Sequence, residues 1–236
     1  MRAVIFDMDG LMLDTEPLAA RAWRDAATGL GIAFDHAVTT RLIGRNFADC
    51  HMLIRAHHGE AYPVDALMQG WHVAYDAIVA REGIAIKTGL VELLGWLERL
   101  DIAKAVATST RRSRALVKLE HANLLHRFTT VVGGDEVAHG KPAPDIFLAA
   151  ASRLGVAPRD CVVLEDSEAG VRAALAGGMA PIMVPDLLPA PPDLVAADLC
   201  ILSSLHDVRR HLESRHRGGN DHDATCDNPA NMHRVP

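Results

Sequence analysis

Short apolar runs alternate with longer stretches of helical periodicity along this chain. Residues 2–6 (RAVIF) are apolar and β-branched and run directly into Asp-Met-Asp-Gly. That is the pattern of a buried strand ending in a polar loop. It recurs at 103–110 (AKAVATST), 128–134 (FTTVVGG), 161–166 (CVVLED), 181–184 (PIMV) and 199–202 (LCIL). Helical segments lie between these runs. Leu90, Leu93, Leu94, Leu97 and Leu100 share one face, and a second helix is expected near 111–122. A third follows the loop that opens 140–155, with Pro144 near its first turn and Gly155 at its end. Ser167 is placed to cap a fourth, which stops at Gly177 and Gly178.

From Pro17 to about Arg81 the pattern is helical throughout. Leu18, Ala22, Ala26 and Leu30 recur at four-residue spacing, and Gly29 and Gly31 mark the stop. Further helical stretches cover 36–43, 47–58 and 63–81. Strands alternating with helices predict an α/β fold, a parallel sheet with helices on both faces, and the all-helical run reads as an inserted domain. The expected division is a core of 1–16 and 86–212, a helical insert of 17–85, and a polar, disordered tail of 213–236.

Composition narrows the function classes. The chain has 236 residues, 49% of them hydrophobic and 23% charged, which is globular composition with ample material for a core. Its 24 basic and 30 acidic side chains give a net charge of −6, so nucleic acid and anionic membranes are not expected partners. The longest charge-free stretch, Ala173–Pro185, is 13 residues, too short to span a bilayer. Acids at positions 7 and 9 leave no signal-peptide core. Cys50, Cys161, Cys200 and Cys226 form no C-x-x-C pair, which predicts free thiols and a cytoplasmic location. A monomer is the default expectation.

The chemistry gathers at the strand ends. The first strand delivers Asp7 and Asp9, the next core strand Thr108, Ser109 and Thr110, and the fourth Glu165 and Asp166; Lys141 lies in the loop after the third. In a parallel sheet these loops share the carboxyl edge, where ligands bind in open α/β folds. Four carboxylates brought together repel one another. At an effective dielectric near 20, two charges about 4 Å apart cost roughly 4 kcal/mol. A hard divalent cation resolves this, and oxygen ligands point to Mg²⁺. One lysine with hydroxyl donors then cradles a phosphoryl group. A carboxylate such as Asp7 can attack phosphorus to form an aspartyl-phosphate. A carboxyl two residues on, Asp9, can protonate the leaving alkoxide and later deprotonate water. Gly10 permits a tight turn after the pair.

The segments FDMDGLMLDTE (6–16), AVATST (105–110), GKPAPDIF (140–147) and LEDSEAG (164–170) resemble, in content and order, the haloacid-dehalogenase-like hydrolase superfamily. The likeness is to its β-phosphoglucomutase-like and phosphoglycolate-phosphatase-like branch. The resemblance covers about residues 1–210. It implies a Rossmann-like core with a helical cap, Asp7 as nucleophile and Asp9 as acid/base. It implies Thr108, Ser109 and Lys141 around the transferring phosphoryl group, with Asp9 and Gly10 beside it. It also implies Mg²⁺ held by Asp7, the Asp9 carbonyl and Asp166, with Glu165 a further ligand. Dehalogenases of the superfamily lack the second acid, so Asp9 argues for phosphoryl chemistry. The mutase branch carries a cap histidine and a cap arginine where this chain has Ala19 and Phe47, which favours hydrolysis over phosphosugar mutation. LIGRNF (42–47) resembles the substrate-facing cap loop, which makes Arg45 and Asn46 candidate contacts to the leaving group; Glu16 is a third. Solvated residues and a helix start are the plain readings of these three. The expected substrate is a small phosphorylated metabolite. A phosphosugar mutase and a non-enzymatic phospho-switch are the alternatives.

Overall fold

The structure is a computed structural model that describes residues 1–42, 45, 47–197 and 199–217. It opens with β1 (Ala3–Phe6). Four helices follow: α1 (Glu16–Gly29), α2 (His36–Leu42), α3 (Phe47–His58) and α4 (Val64–Glu82). Then come α5 (Leu90–Arg99), β2 (Ala103–Thr108), α6 (Arg112–His121), β3 (Thr130–Gly133), α7 (Asp145–Leu154), β4 (Cys161–Glu165), α8 (Glu168–Ala176) and β5 (Ala180–Met183). The described chain ends with α9 (Pro192–Ala196), β6 (Cys200–Ile201) and α10 (Leu205–Arg217). The expected strands are all present, each one to three residues shorter than its apolar run except β5, which keeps its length and is shifted by one residue. α9 and α10 have no counterpart in the sequence reading. α10 continues to Arg217, so residues 213–217, assigned to the polar tail, are helical; the remainder of that segment lies outside the described residues.

The strands form one parallel sheet in the order β3-β2-β1-β4-β5-β6. Alternation of side chains along each strand divides the core into two layers. Val4, Phe6, Val106 and Leu164 face α5 and α10, whereas Ile5, Ala105, Ala107 and Val163 face α7 and α8. Every residue of β1 is buried, as a central strand covered on both faces requires. Phe6 lies edge-on to Phe128, with ring centroids 5.6 Å apart. Ser167 caps α8 by accepting from the Gly170 amide at 3.1 Å, and Gly155 ends α7 in the left-handed region at φ +66°.

The four helices after β1 bury their own apolar cluster, built on Trp23, Val38, Leu42, Cys50, Ile54, Leu67 and Met68. Two crossings join this segment to the sheet. They lie side by side, with the Asp14 amide donating to Ala85 O and the Lys87 amide to Met12 O, both at 2.9 Å. The Lys87 ammonium bridges Asp14 at 2.8 Å and Asp186 at 2.7 Å. Among the described residues, no helix is long and apolar enough to cross a membrane. Cys50 and Cys161 are free and buried. Cys200, on the edge strand β6, departs from the free-thiol expectation: it is disulfide-bonded.

Phe6→Ala removes a fully buried ring beside the carboxyl end of the central strand. It is expected to cost about 3–5 kcal/mol of stability, read as a lowered urea midpoint.

Candidate active site

Strand register brings the site together. Phe6 is level with Val106 on one side and Leu164 on the other, so Asp7 emerges beside Ala107 and Glu165. The β1 end lies between two neighbours whose following loops turn to opposite sides, the position at which open α/β sheets form a crevice. Asp7, Thr108, Glu165 and Asp166 are all buried there.

Lys141 reaches into this cluster from the loop before α7. Its ammonium is bonded to Asp7 and to Glu165 Oε1, the latter at 2.5 Å, and touches Ala107 O at 3.3 Å. Its side chain is 4% exposed, and the Phe147 ring lies under it at 4.9 Å. Glu165 Oε2 accepts from the amide and hydroxyl of Ser167 at 3.0 and 2.9 Å. Both oxygens of Glu165 are therefore engaged in holding Lys141 and the turn into α8. Glycine makes the packing possible at two points. A Cβ on Gly10, at φ +87°, would collide with the Asp166 carboxylate, and a Cβ on Gly170 with that of Glu165. The Gly10 amide is spent on Leu13 O at 2.9 Å.

Asp7, Glu165 and Asp166 place carboxylate oxygens within 4.8 Å of one another. Three carboxylates thus face one ammonium, a deficit of two positive charges. Burial, with Glu165 adding repulsion, pushes the Asp7 carboxyl up to about 7 despite Lys141. Burial and the Glu165 and Asp7 charges raise Asp166 well above the carboxylate range. Burial opposes the charge on Lys141 too, but Asp7 and Glu165 outweigh it and raise its pKa. A hard divalent cation fits this set: the donors are all oxygen, they converge, and its charge cancels the deficit.

Asp9 is held apart from that cluster. Thr110 Oγ1 donates to its Oδ2 at 2.7 Å, and Lys118 Nζ, from α6, to its Oδ1 at 2.6 Å. Thr108 Oγ1 lies 3.5 Å from the same Oδ2 and accepts from the Thr110 amide at 3.1 Å. Burial opposes ionisation, but Lys118 and Thr110 hold the Asp9 carboxyl below its ordinary range.

Above these groups is a cleft of about 420 Å³ between the sheet edge and the four helices. The sequence candidates Asp7, Asp9, Thr108, Ser109, Lys141 and Asp166 line its floor, and Glu16 and Arg45 its upper wall. Arg45 is exposed and its Nε donates to Arg41 O at 2.8 Å. Asn46 lies outside the described residues. Ala19 and Phe47 also line the cleft, and Phe47 stacks on His72 with centroids 4.4 Å apart. Thr110, named at the strand end with Thr108 and Ser109, lines the cleft too, as do Lys118 and Tyr75, which the sequence reading left out of the site. A signal existed for Lys118: with Ala115 and Ala122 it follows the three-then-four spacing of the inward stripe of α6.

A family model described as haloacid dehalogenase-like hydrolase matches residues 1–178. A fructose-1-phosphate phosphatase of Escherichia coli is 34% identical over 185 residues, 75% of this chain and 92% of that protein. A β-phosphoglucomutase of Bacillus subtilis is 33% identical over 185 residues, 76% of this chain and 81% of that protein. Among solved structures, CbbY of Rhodobacter sphaeroides, in complex with phosphate, superposes with a TM-score of 0.76 at 27% identity, covering 88% of this chain and 96% of that one.

Two measurements check the charge balance. Asp7 binds its proton more tightly folded, at about 7, than unfolded, near 3.8. The folded state therefore carries the extra proton between those values, and the Asp7 contribution to stability falls as pH rises from about 4 through about 7. In metal-free buffer, the stability of the wild type relative to Asp7→Asn should decline across that window. Added Mg²⁺ should stabilise the fold at pH 7 by about 2.7 kcal/mol at a hundred times its dissociation constant, read as a raised melting temperature. Asp166→Asn should lose most of that response in the same thermal scan.

Proposed function

The chain belongs to the haloacid dehalogenase-like hydrolase family, and on that footing we propose that it is a Mg²⁺-dependent phosphatase that hydrolyses a small phosphomonoester through an aspartyl-phosphate on Asp7. Phosphatases among its named relatives are consistent with cleavage of phosphoric monoester bonds. The observation that carries the reading is the grouping of Asp7, Lys141 and Asp166 on the cleft floor, with Glu165 buried behind them.

Asp7 and Asp166 would hold the cation, with Glu165 at their side; the bound ion would supply positive charge against the phosphoryl oxygens and the nucleophile. The Lys141 ammonium lies where it can bind the phosphoryl group and orient Asp7. Ser109 and Thr108 line the same floor and can position the remaining oxygens. An Asp7 oxygen attacks phosphorus, and the bond from phosphorus to the leaving oxygen breaks. The phosphoryl charge beside Asp9 raises its affinity for a proton, against the pull of Lys118 and Thr110, and Asp9 gives that proton to the leaving oxygen. After the alcohol leaves, Asp9 takes a proton from water as the water oxygen bonds to phosphorus. The bond from phosphorus to Asp7 then breaks, which returns the Asp7 carboxylate and releases inorganic phosphate. The four helices over the cleft serve as a cap that excludes bulk water.

The cleft volume suits a small metabolite, and a sugar phosphate is the proposed class, as the fructose-1-phosphate phosphatase relative supports. Ala19 and Phe47, where the mutase-like pattern would carry histidine and arginine, offer neither a proton nor a cation to a second phosphoryl group. Hydrolysis is favoured on that ground. With β-glucose 1-phosphate, free phosphate is the expected product, and accumulation of the 6-phosphate would establish the mutase reading instead.

A phosphate-release screen over small phosphomonoesters, with and without Mg²⁺, tests the proposal. Mg²⁺-dependent release is expected from at least one sugar phosphate, and Asp7→Asn is expected to be folded and inactive. No release from any ester, or turnover by Asp7→Asn, would overturn it.

A further inference from the structure

Lys118 has no part in the reaction as set out above, yet it is the second ammonium on the cleft floor. It projects from α6, one helix beyond the Thr108–Thr110 loop, and its side chain is 12% exposed. Burying an ammonium is costly unless it is paired. Its partner is Asp9 Oδ1 at 2.6 Å, while Thr110 Oγ1 takes the other oxygen at 2.7 Å. A carboxylate gripped at one oxygen still pivots about its last torsion. Gripped at both, from two separate elements, its plane is fixed. The Lys118 ammonium in turn lies 5.1 Å from the ring centroid of Tyr75, a residue of α4 that is 2% exposed and packs on Ala22 and Ile78. The face of that ring attracts the cation. Lys118 therefore spans the sheet edge and the helical segment, with Asp9 on one side and Tyr75 on the other.

We propose that Lys118 is a positioning residue for Asp9: with Thr110 it fixes the carboxyl group against the leaving oxygen, and the ring of Tyr75 from the helical segment holds it there. The inference rests on the reading of Asp9 as the group that protonates the leaving oxygen. Its consequence is selective. A sugar alkoxide is a poor leaving group and departs only with a proton from a well-placed acid. A nitrophenolate departs without one. Lys118 thus serves the cleavage of alkyl phosphates far more than that of activated aryl phosphates, and biases the enzyme toward metabolite esters.

The test compares wild type, Lys118→Met, Lys118→Arg and Asp9→Asn on two esters: the sugar phosphate that the wild type cleaves best, and p-nitrophenyl phosphate. For the aryl ester, the rate of the initial nitrophenolate burst reports the transfer to Asp7 alone. Lys118→Met is expected to lower kcat on the sugar phosphate by about a hundredfold with little change in KM, the scale of a misplaced catalytic group. Its aryl burst should slow by no more than about fivefold, an effect small beside general acid catalysis. Asp9→Asn should show the same bias, and Lys118→Arg, which keeps the cation, should recover at least about tenfold of the loss on the sugar ester. If Lys118→Met does not fold, Tyr75→Leu replaces it and is expected to show a smaller loss with the same bias. An unchanged kcat, an equal loss on both esters, or a loss confined to KM would overturn the assignment and leave the phosphatase reading standing. A wild type that cleaves no phosphomonoester, or an active Asp7→Asn, would remove that reading and this inference with it.

Discussion

Lys141 sits between Asp7 and Glu165, out of water, and the rest of the site is arranged around that contact. An ammonium so deeply buried is tolerable only where carboxylates surround it, and these carboxylates are tolerable together only because it is there. The cluster remains short of positive charge, since Asp166 adds a third acid. That shortage fits the site to a hard divalent cation. It also explains how two acids from one short segment can differ. Asp7 lies in the cation-poor cluster and Asp9 beside an ammonium of its own, so their proton affinities are driven in opposite directions.

The fold makes this arrangement through register more than through individual contacts. Parallel pairing of β1 with β2 and β4 aligns three strand ends to within a residue or two. Glycines at 10 and 170 then let acid side chains approach backbone that a methyl group would block. The two crossings to the four-helix segment leave from the same edge, tied by Lys87 to Asp14 and Asp186. The roof of the cleft is thus joined to its floor at one edge. Tyr75 over Lys118 extends that connection to Asp9.

Much of this was legible in the chain. RAVIF and CVVLED announced strands because a central parallel strand must be apolar on both faces, and each ended in acids because only the strand end reaches the crevice. Lys141 was legible from GKPAPDIF, a loop and helix start at a fixed place among the motifs. Lys118 was legible only as a position on the inward stripe of α6, and its pairing with Asp9 was not, because that contact exists only once α6 is docked. Tyr75 was legible as an apolar position on α4 and not as a partner for a cation. α10 was missed because its composition is polar, and Leu205, Val208 and Leu212 become a buried stripe only against α5.

The sequence alone settled the class of fold and the inventory of reactive groups, because both follow from local periodicity and from which residue types stand at strand ends. Tertiary structure decided the pairing: which carboxylate takes which ammonium, that Glu165 spends its oxygens on Lys141 and Ser167, and that Asp9 is clamped from α6. The pairings of carboxylate with ammonium join residues from 24 to 134 positions apart. Electrostatic energy depends on distance and burial, and neither quantity exists until the chain has folded.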